Sequence, residues 1–285
     1  MRWTDWHALA LAQPIPPATL GELLDGGQSF RWRAREGGWS GIFGRHIAEV
    51  RPSAYGIEWR QPLGQADAAA ALARYLDAAG DQARAADALP WRSDPFLAQA
   101  MKRFPGLRIL RQDPDEALLA FLCSSNKQII QIRRMIEALA TTLGEALAPG
   151  HHALPTWTKL SKASPDALKA CGLGYRAAFV RDTARTLVRR PRWSEELDTL
   201  STDTLLTELS ALPGVGPKVA ACVALFGFGR LDAFPVDTWI EQILAKGYGL
   251  EGWKRPALER FGRAHFGGAA GLAQQFLFAE ARNGD

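Results

Sequence analysis

Lys218 and Asp237 are the two residues whose types and spacing could carry covalent chemistry. Lys218 closes the run Leu212-Pro213-Gly214-Val215-Gly216-Pro217-Lys218, and Asp237 follows Pro235-Val236 nineteen residues further on. Pro213 is poorly tolerated inside a helix, and Gly214 and Gly216 open backbone conformations closed to other residues, so the run reads as a tight turn between two helices. A hairpin tipped with glycine lets its amide N–H groups approach a phosphate with no side chain in the way. Lys218 then opens the small, apolar stretch 219–226. An amine beside such a surface loses hydration, which favours its neutral, nucleophilic form. Asp237, just ahead of Thr238-Trp239-Ile240, is placed to cap a helix and to present a carboxylate to the same cleft. Each half alone is common, since many such hairpins only grip phosphate and many such aspartates only cap. Together they point to a lysine nucleophile working beside a carboxylate on a nucleic-acid backbone.

Those residues need a scaffold, and the chain has two textures. The first ninety or so residues hold six of its ten tryptophans. Ser29-Phe30-Arg31-Trp32-Arg33 and Ile47-Ala48-Glu49-Val50-Arg51 alternate apolar and polar, and Glu36-Gly37-Gly38 supplies a turn. The pattern predicts an antiparallel sheet, followed by an alanine-rich helix over 72–88. From residue 94 the helical period takes over, with helices predicted at 95–103, 114–125, 128–143, 165–171, 176–188, 203–212, 218–226, 237–245 and 270–281. Asp113-Pro114-Asp115-Glu116 and Ser164-Pro165-Asp166 are helix-start signals. The expected fold class is α+β: an antiparallel sheet domain at residues 1–92, then an all-α domain at 93–285 carrying a helix-hairpin-helix motif.

Composition narrows the classes. At 285 residues with 47% hydrophobic content, the chain suits one or two globular domains. No apolar run is long enough to span a bilayer, and the start, Met1-Arg2-Trp3-Thr4-Asp5-Trp6-His7, lacks the layout of a secretion signal. A cytoplasmic location is therefore expected, at the nucleoid if the source is bacterial. Cys123, Cys171 and Cys222 are too few and too scattered for a disulfide framework or a four-cysteine iron–sulfur or zinc site. The five histidines show no metal-ligand spacing, and His151-His152 is expected in a solvated loop. Net charge is only +4, but residues 101–190 hold fifteen Lys/Arg against seven Asp/Glu. A polyanion partner needs such a basic face, although a solvated helix surface explains any single cluster equally well.

With the hairpin lysine and the aspartate placed, the chain resembles the helix-hairpin-helix DNA glycosylases of the 8-oxoguanine type. The resemblance runs through five stretches: Gly27-Gln28-Ser29-Phe30-Arg31-Trp32; Leu110-Arg111-Gln112-Asp113-Pro114 with Cys123-Ser124-Ser125-Asn126; Gly172-Leu173-Gly174-Tyr175-Arg176-Ala177; the hairpin through Pro-Val-Asp; and 273–278. It implies a monomeric enzyme that acts on double-stranded DNA, with Lys218 as the nucleophile at the sugar C1′ and Asp237 stabilising the charge that develops there. It implies that the damaged base leaves the stack, with Tyr175 and Arg176 filling the gap. Cys222 and Phe278 would sandwich the flipped base and Gln274 would meet its Watson–Crick edge. The carbonyl of Gly27 would accept the N7 hydrogen that 8-oxoguanine has and guanine lacks. Asn126 and Lys127 would lie beside the orphaned cytosine, and Gly214 and Gly216 against phosphate. The resemblance also implies a monovalent cation, K⁺ or Na⁺, on the backbone carbonyls of Ser210, Leu212 and Val215, and no other cofactor.

Three positions depart from the familiar eukaryotic members of that family. Lys127 replaces an asparagine, Gln131 replaces an arginine that reads cytosine, and Trp239 replaces a histidine that contacts phosphate. Loss of a bidentate arginine removes about 1–3 kcal/mol of discrimination, so tolerance of other bases opposite the lesion is expected. Two alternatives remain open from sequence. One is a non-catalytic helix-hairpin-helix DNA-binding protein. The other is a glycosylase of the same superfamily with another damaged-base specificity. Against the second, adenine and oxidised-pyrimidine members usually carry a C-terminal iron–sulfur cysteine cluster, and alkyl-base members lack the lysine.

Overall fold

The computed structural model describes residues 1–54 and 56–283. Its sheet has five strands, β1 (His7–Leu9), β2 (Trp32–Arg35), β3 (Gly38–Phe43), β4 (His46–Ser53) and β5 (Gly56–Arg60), in the antiparallel order β1-β5-β4-β3-β2. The predicted turn at 36–38 joins β2 to β3, with Gly37 at φ +73°. Trp32 is fully buried, and its indole N–H donates to the Tyr75 hydroxyl at 3.1 Å. It pairs in register with Gly41, where a Cβ would lie 2.4 Å from the indole, so only glycine lets that ring cross the sheet face.

The alanine-rich stretch is not one helix. It forms two short ones, Ala69–Tyr75 and Ala83–Asp87, parted by a turn in which Asp77 and Gly80 have positive φ. His151-His152 also departs from expectation. It belongs to a two-stranded hairpin with Ala146–Ala148 and is partly buried, with the His152 carbonyl accepting from Arg31. Periodicity in so short a segment is too weak to announce a strand. Helices Pro17–Asp25, Trp157–Lys162, Trp193–Asp198 and Arg255–Phe266 add to those predicted.

Three helices form the centre of the helical part and are buried along most of their length, as helices wrapped by others are. Pro114–Ser124 is buried from Glu116 to its end, Pro217–Phe226 from Val219 to its end, and Ala270–Asn283 from Ala270 to Leu277. Phe121 stacks on Phe226 with ring centroids 5.2 Å apart, which joins the first two. The third approaches through Gly271, whose N–H donates to the Leu231 carbonyl at 2.7 Å. A Cβ at Gly271 would sit 2.4 Å from the Ala233 carbonyl oxygen and 2.5 Å from Leu225. Leu225 can turn aside, but the backbone oxygen cannot. Gly271→Ala is therefore expected to cost about 1–3 kcal/mol of stability, read by chemical denaturation. Wild-type stability would show that the contact yields.

Candidate active site

Lys218 projects from the first turn of Pro217–Phe226 because the turn before it is held on three sides. Gly214 adopts φ +77°, the Val215 N–H donates to the Leu212 carbonyl at 3.1 Å, and the Thr183 hydroxyl donates to the Pro213 carbonyl at 2.7 Å. A Cβ on Gly214 would lie 2.5 Å from Phe179, so helix Arg176–Val188 lies directly against the hairpin. Gly216 differs. It caps the helix at φ −86° with nothing near the place a Cβ would take, which leaves its surroundings open to a ligand.

The amine is half-buried and specifically held. Its Nζ donates to Ser124 Oγ at 3.3 Å and lies 5.3 Å from the centroid of the Phe121 ring. Ser124 spends its own hydrogen on the Phe121 carbonyl at 2.8 Å, which turns its lone pairs towards Lys218. Cys222 follows Lys218 at i+4 on the same helix face. Burial pushes its thiol up from the usual value, while the neighbouring Lys218 charge pulls the other way. Asp237 caps Thr238–Tyr248 by accepting the Ile240 N–H at 2.9 Å through Oδ1, as its position after Pro-Val predicts. No salt bridge joins Lys218 to Asp237 among the described residues, and the second carboxylate oxygen remains available.

Both residues line one cavity of about 880 Å³, within the roughly 300–1,000 Å³ typical of small-molecule sites. Gly27, Cys222, Gln274 and Phe278 line the same cavity, as do Asn126, Lys127, Gly216 and Trp239. Gly27 has φ +106°, and a Cβ there would lie 3.0 Å from Ile129 and 3.9 Å from Phe278. Its place is fixed by Gln28, which sequence reasoning passed over as part of a motif. The Gln28 side chain donates to the Arg108 carbonyl and accepts the Leu110 N–H, each at 2.9 Å, and its carbonyl accepts from Gln112 at 2.7 Å. Ser124 was likewise passed over. A buried polar residue ending an apolar helix was the available signal.

Four of the residues expected to contact DNA lie outside the cavity lining, as do Ser210, Leu212 and Val215. Gln131 folds back on its own helix, where Oε1 accepts the Gln128 N–H at 3.2 Å. Gly214 supports the hairpin from behind. Tyr175 stands on the surface at 59% exposure, beside Gly172 and Gly174, both at positive φ. Arg176 is buried instead. Its guanidinium lies 4.3 Å from the Tyr175 ring and donates to the carbonyls of Leu173 and Ser125, which ties the Gly-rich turn to the Asn126 loop. Asn126 itself adopts φ +52°, in the left-handed region. Among the described residues no cluster of His, Cys, Asp and Glu could hold a metal, and no helix is long and apolar enough to cross a membrane.

Comparison with known proteins places this arrangement. Residues 119–263 match the HhH-GPD superfamily of base excision DNA repair proteins, and residues 12–118 match the 8-oxoguanine DNA glycosylase N-terminal domain. The chain is 34% identical over 253 residues to the N-glycosylase/DNA lyase OGG1 of Arabidopsis thaliana, covering 84% of this chain and 68% of that protein. It is 31% identical over 214 residues to a probable N-glycosylase/DNA lyase of Methanothermobacter thermautotrophicus, covering 66% and 68%. Among solved structures it superposes on Clostridium acetobutylicum 8-oxoguanine glycosylase/lyase, in complex with dsDNA containing cytosine opposite 8-oxoG, with a TM-score of 0.85. That match is at 31% identity over 92% of this chain and 91% of the other. The chain belongs to the 8-oxoguanine DNA glycosylase/lyase family of the HhH-GPD superfamily.

The two hairpin glycines should separate in a substitution test. Gly214→Ala meets both a strained φ and the Phe179 ring, so it should lower the unfolding midpoint by several degrees, about 1–3 kcal/mol. Gly216→Ala should leave that midpoint where it is. Equal effects in thermal unfolding would contradict the different supports described for the two positions.

Proposed function

We propose that this chain excises 8-oxoguanine from duplex DNA in base excision repair and then cleaves the abasic strand through a Schiff base on Lys218. The observation that carries the proposal is that Lys218 and Asp237, distant in sequence, open into one cavity of base-accepting size. Gly27, Cys222, Gln274 and Phe278 in its wall would supply the contacts a flipped purine requires. The polar edge meets Gln274, the ring faces lie between Cys222 and Phe278, and the N7 hydrogen meets the Gly27 carbonyl.

The chemistry balances with the groups present. Lys218 Nζ bonds to C1′ as the C1′–N9 bond breaks, its electron pair leaving with the base, which takes up a proton. The free oxygen of Asp237 faces the positive charge that grows on the sugar, where a fixed carboxylate in a partly desolvated site acts most strongly. Loss of the amine proton and opening of the sugar ring give the imine. Removal of a C2′ proton then expels the 3′ phosphate, and water releases the lysine. Tyr175 enters the space the base vacates, and Arg176 holds the loop that delivers it.

The hairpin carbonyls fit a hard monovalent cation better than any side-chain set does. Those of Ser210 and Val215 receive no turn or side-chain hydrogen bond among the described residues, and that of Leu212 accepts only the Val215 N–H. Such oxygens, turned towards a phosphate, let a cation bridge hairpin and backbone. In this reading the enzyme acts as a monomer. Its place of work follows its substrate: the cytoplasm, at the nucleoid in a bacterial cell.

Borohydride reduction of the enzyme with lesion-bearing duplex tests the proposal. The wild type should give a covalent adduct, Lys218→Gln should give none, and Asp237→Asn should slow excision by at least about a hundredfold. A Lys218→Gln variant that still traps would mean another amine acts, a wild type that releases the base but never traps would remove the Schiff base, and one that does neither would leave only a DNA-binding protein. The opposite base supplies a second test. Gln131 is committed to its helix start, so excision rates opposite C, A, G and T should lie within about tenfold of one another. A strong cytosine preference would refute this.

A further inference from the structure

Phe179 is an exposed aromatic that neither the core nor the chemistry above uses. It follows Tyr175 by four residues at the start of Arg176–Val188, so the two rings share one helix face a turn apart. Their centroids lie 6.2 Å apart and their planes cross at 87°, the geometry of an edge-to-face pair. Phe179 is 40% exposed and Tyr175 59%, so neither ring is placed to fill the interior. On its other side Phe179 rests on the hairpin. A Cβ at Gly214 would come within 2.5 Å of the Phe179 Cβ and Cγ, so the side chain lies on the main chain itself.

A tyrosine can displace a stacked base only if it keeps its direction as it pushes. A free surface ring gives up rotamer freedom on insertion, and it can swing aside instead. Tyr175 is held on two sides. The Arg176 guanidinium, itself bonded to the carbonyls of Leu173 and Ser125, lies 4.3 Å from the ring centroid, and Phe179 meets the ring at right angles. Behind Phe179 stands Gly214, and the neighbouring Pro213 carbonyl accepts from the Thr183 hydroxyl at 2.7 Å. Thr183 is four residues beyond Phe179, so one helix both backs the tyrosine and anchors the hairpin. Gly216, two residues past Gly214, lines the catalytic cavity together with Lys218. A short path from the tyrosine to the amine therefore runs through Phe179.

We propose that Phe179 is a positioning residue: it braces Tyr175 against the hairpin, so that the ring enters the stack in register with the amine that attacks the extruded nucleoside. The proposal rests on the preceding reading, in which Tyr175 fills the space the base vacates. The test compares two single-turnover reactions. Excision from a duplex with 8-oxoguanine opposite cytosine requires a stacked base to be displaced, whereas borohydride trapping on a duplex with a preformed abasic site does not. Phe179→Leu keeps the Cβ and Cγ that touch Gly214 and removes the ring. It should slow excision about five- to tenfold, the worth of an aromatic pair, and leave abasic trapping within about twofold of wild type. Fluorescence of a 2-aminopurine beside the lesion, which rises as the stack opens, should show extrusion weakened in parallel. Phe179→Tyr, which retains the ring, should excise like wild type. Tyr175→Ala should slow excision at least as much as Phe179→Leu does, and the leucine change should add nothing in that background. Should the leucine variant fail to fold, Phe179→Met, unbranched and adaptable, takes its place. Equal slowing of excision and trapping would mean that Phe179 only supports the hairpin, and would overturn the proposal. So would a tyrosine variant as slow as the leucine one, or slowing that persists undiminished in the Tyr175→Ala background. If Tyr175→Ala slows excision and Phe179→Leu does not, this proposal alone fails. A Tyr175→Ala variant indistinguishable from wild type would overturn the role of Tyr175, and this proposal with it.

Discussion

An amine can attack a defined carbon only if the helix that carries it cannot shift, and here that helix is buried on every side. Residues 219–226 of Pro217–Phe226 have no solvent face, so the helix has one position in the core. Phe121 does two jobs in this arrangement. Stacked against Phe226 it fixes the far end of the helix, and its ring lies 5.3 Å from Lys218 Nζ, so it also bounds the place of the amine. Packing and chemistry therefore share a side chain, and a change that loosens one disturbs the other.

The sheet works through hydrogen bonds rather than catalytic groups. Gly27 and Phe30 line the cavity from the sheet half of the chain, and Gly27, a loop residue at positive φ, has little to fix it locally. Gln28, tied to the extended 108–112 segment by three hydrogen bonds, supplies that rigidity. In the proposed function this carbonyl tells a hydrogen from a lone pair, which requires placement to within a fraction of an ångström, and buried amide networks give such placement because every broken bond leaves an unsatisfied group. The N-terminal sheet is in this sense part of the pocket.

Two large apolar side chains of the cavity lining remain uncovered. Trp239 and Ile130 are each about half exposed. Isolated apolar residues on a surface need no explanation, but these two belong to one cavity, where they offer stacking faces to an unpaired duplex. Arg176 shows the opposite economy. Although charged and beside Tyr175, it is spent holding two loops together.

Much of this was legible in residue order. Proline and glycine announced the hairpin, Asp-Pro and Ser-Pro announced helix starts, and Lys218 with Asp237 stood out as candidate reactive groups that the fold brings to one cavity, because backbone freedom, capping and nucleophilicity are properties of single residues and short spacings. The alanine-rich stretch misled for the same reason: helix propensity says nothing about the turn at Asp77 and Gly80 that splits it. The burial of Arg176 and the diversion of Gln131 to its own helix start were not written in any spacing. A long polar side chain can reach many partners, and which one it takes depends on atoms brought near by distant parts of the chain. Sequence by itself determined which groups could react and where the backbone must turn. Only the tertiary structure decided which polar groups remain free to meet a base, since that is settled by competition among neighbours that exist only once the chain has folded.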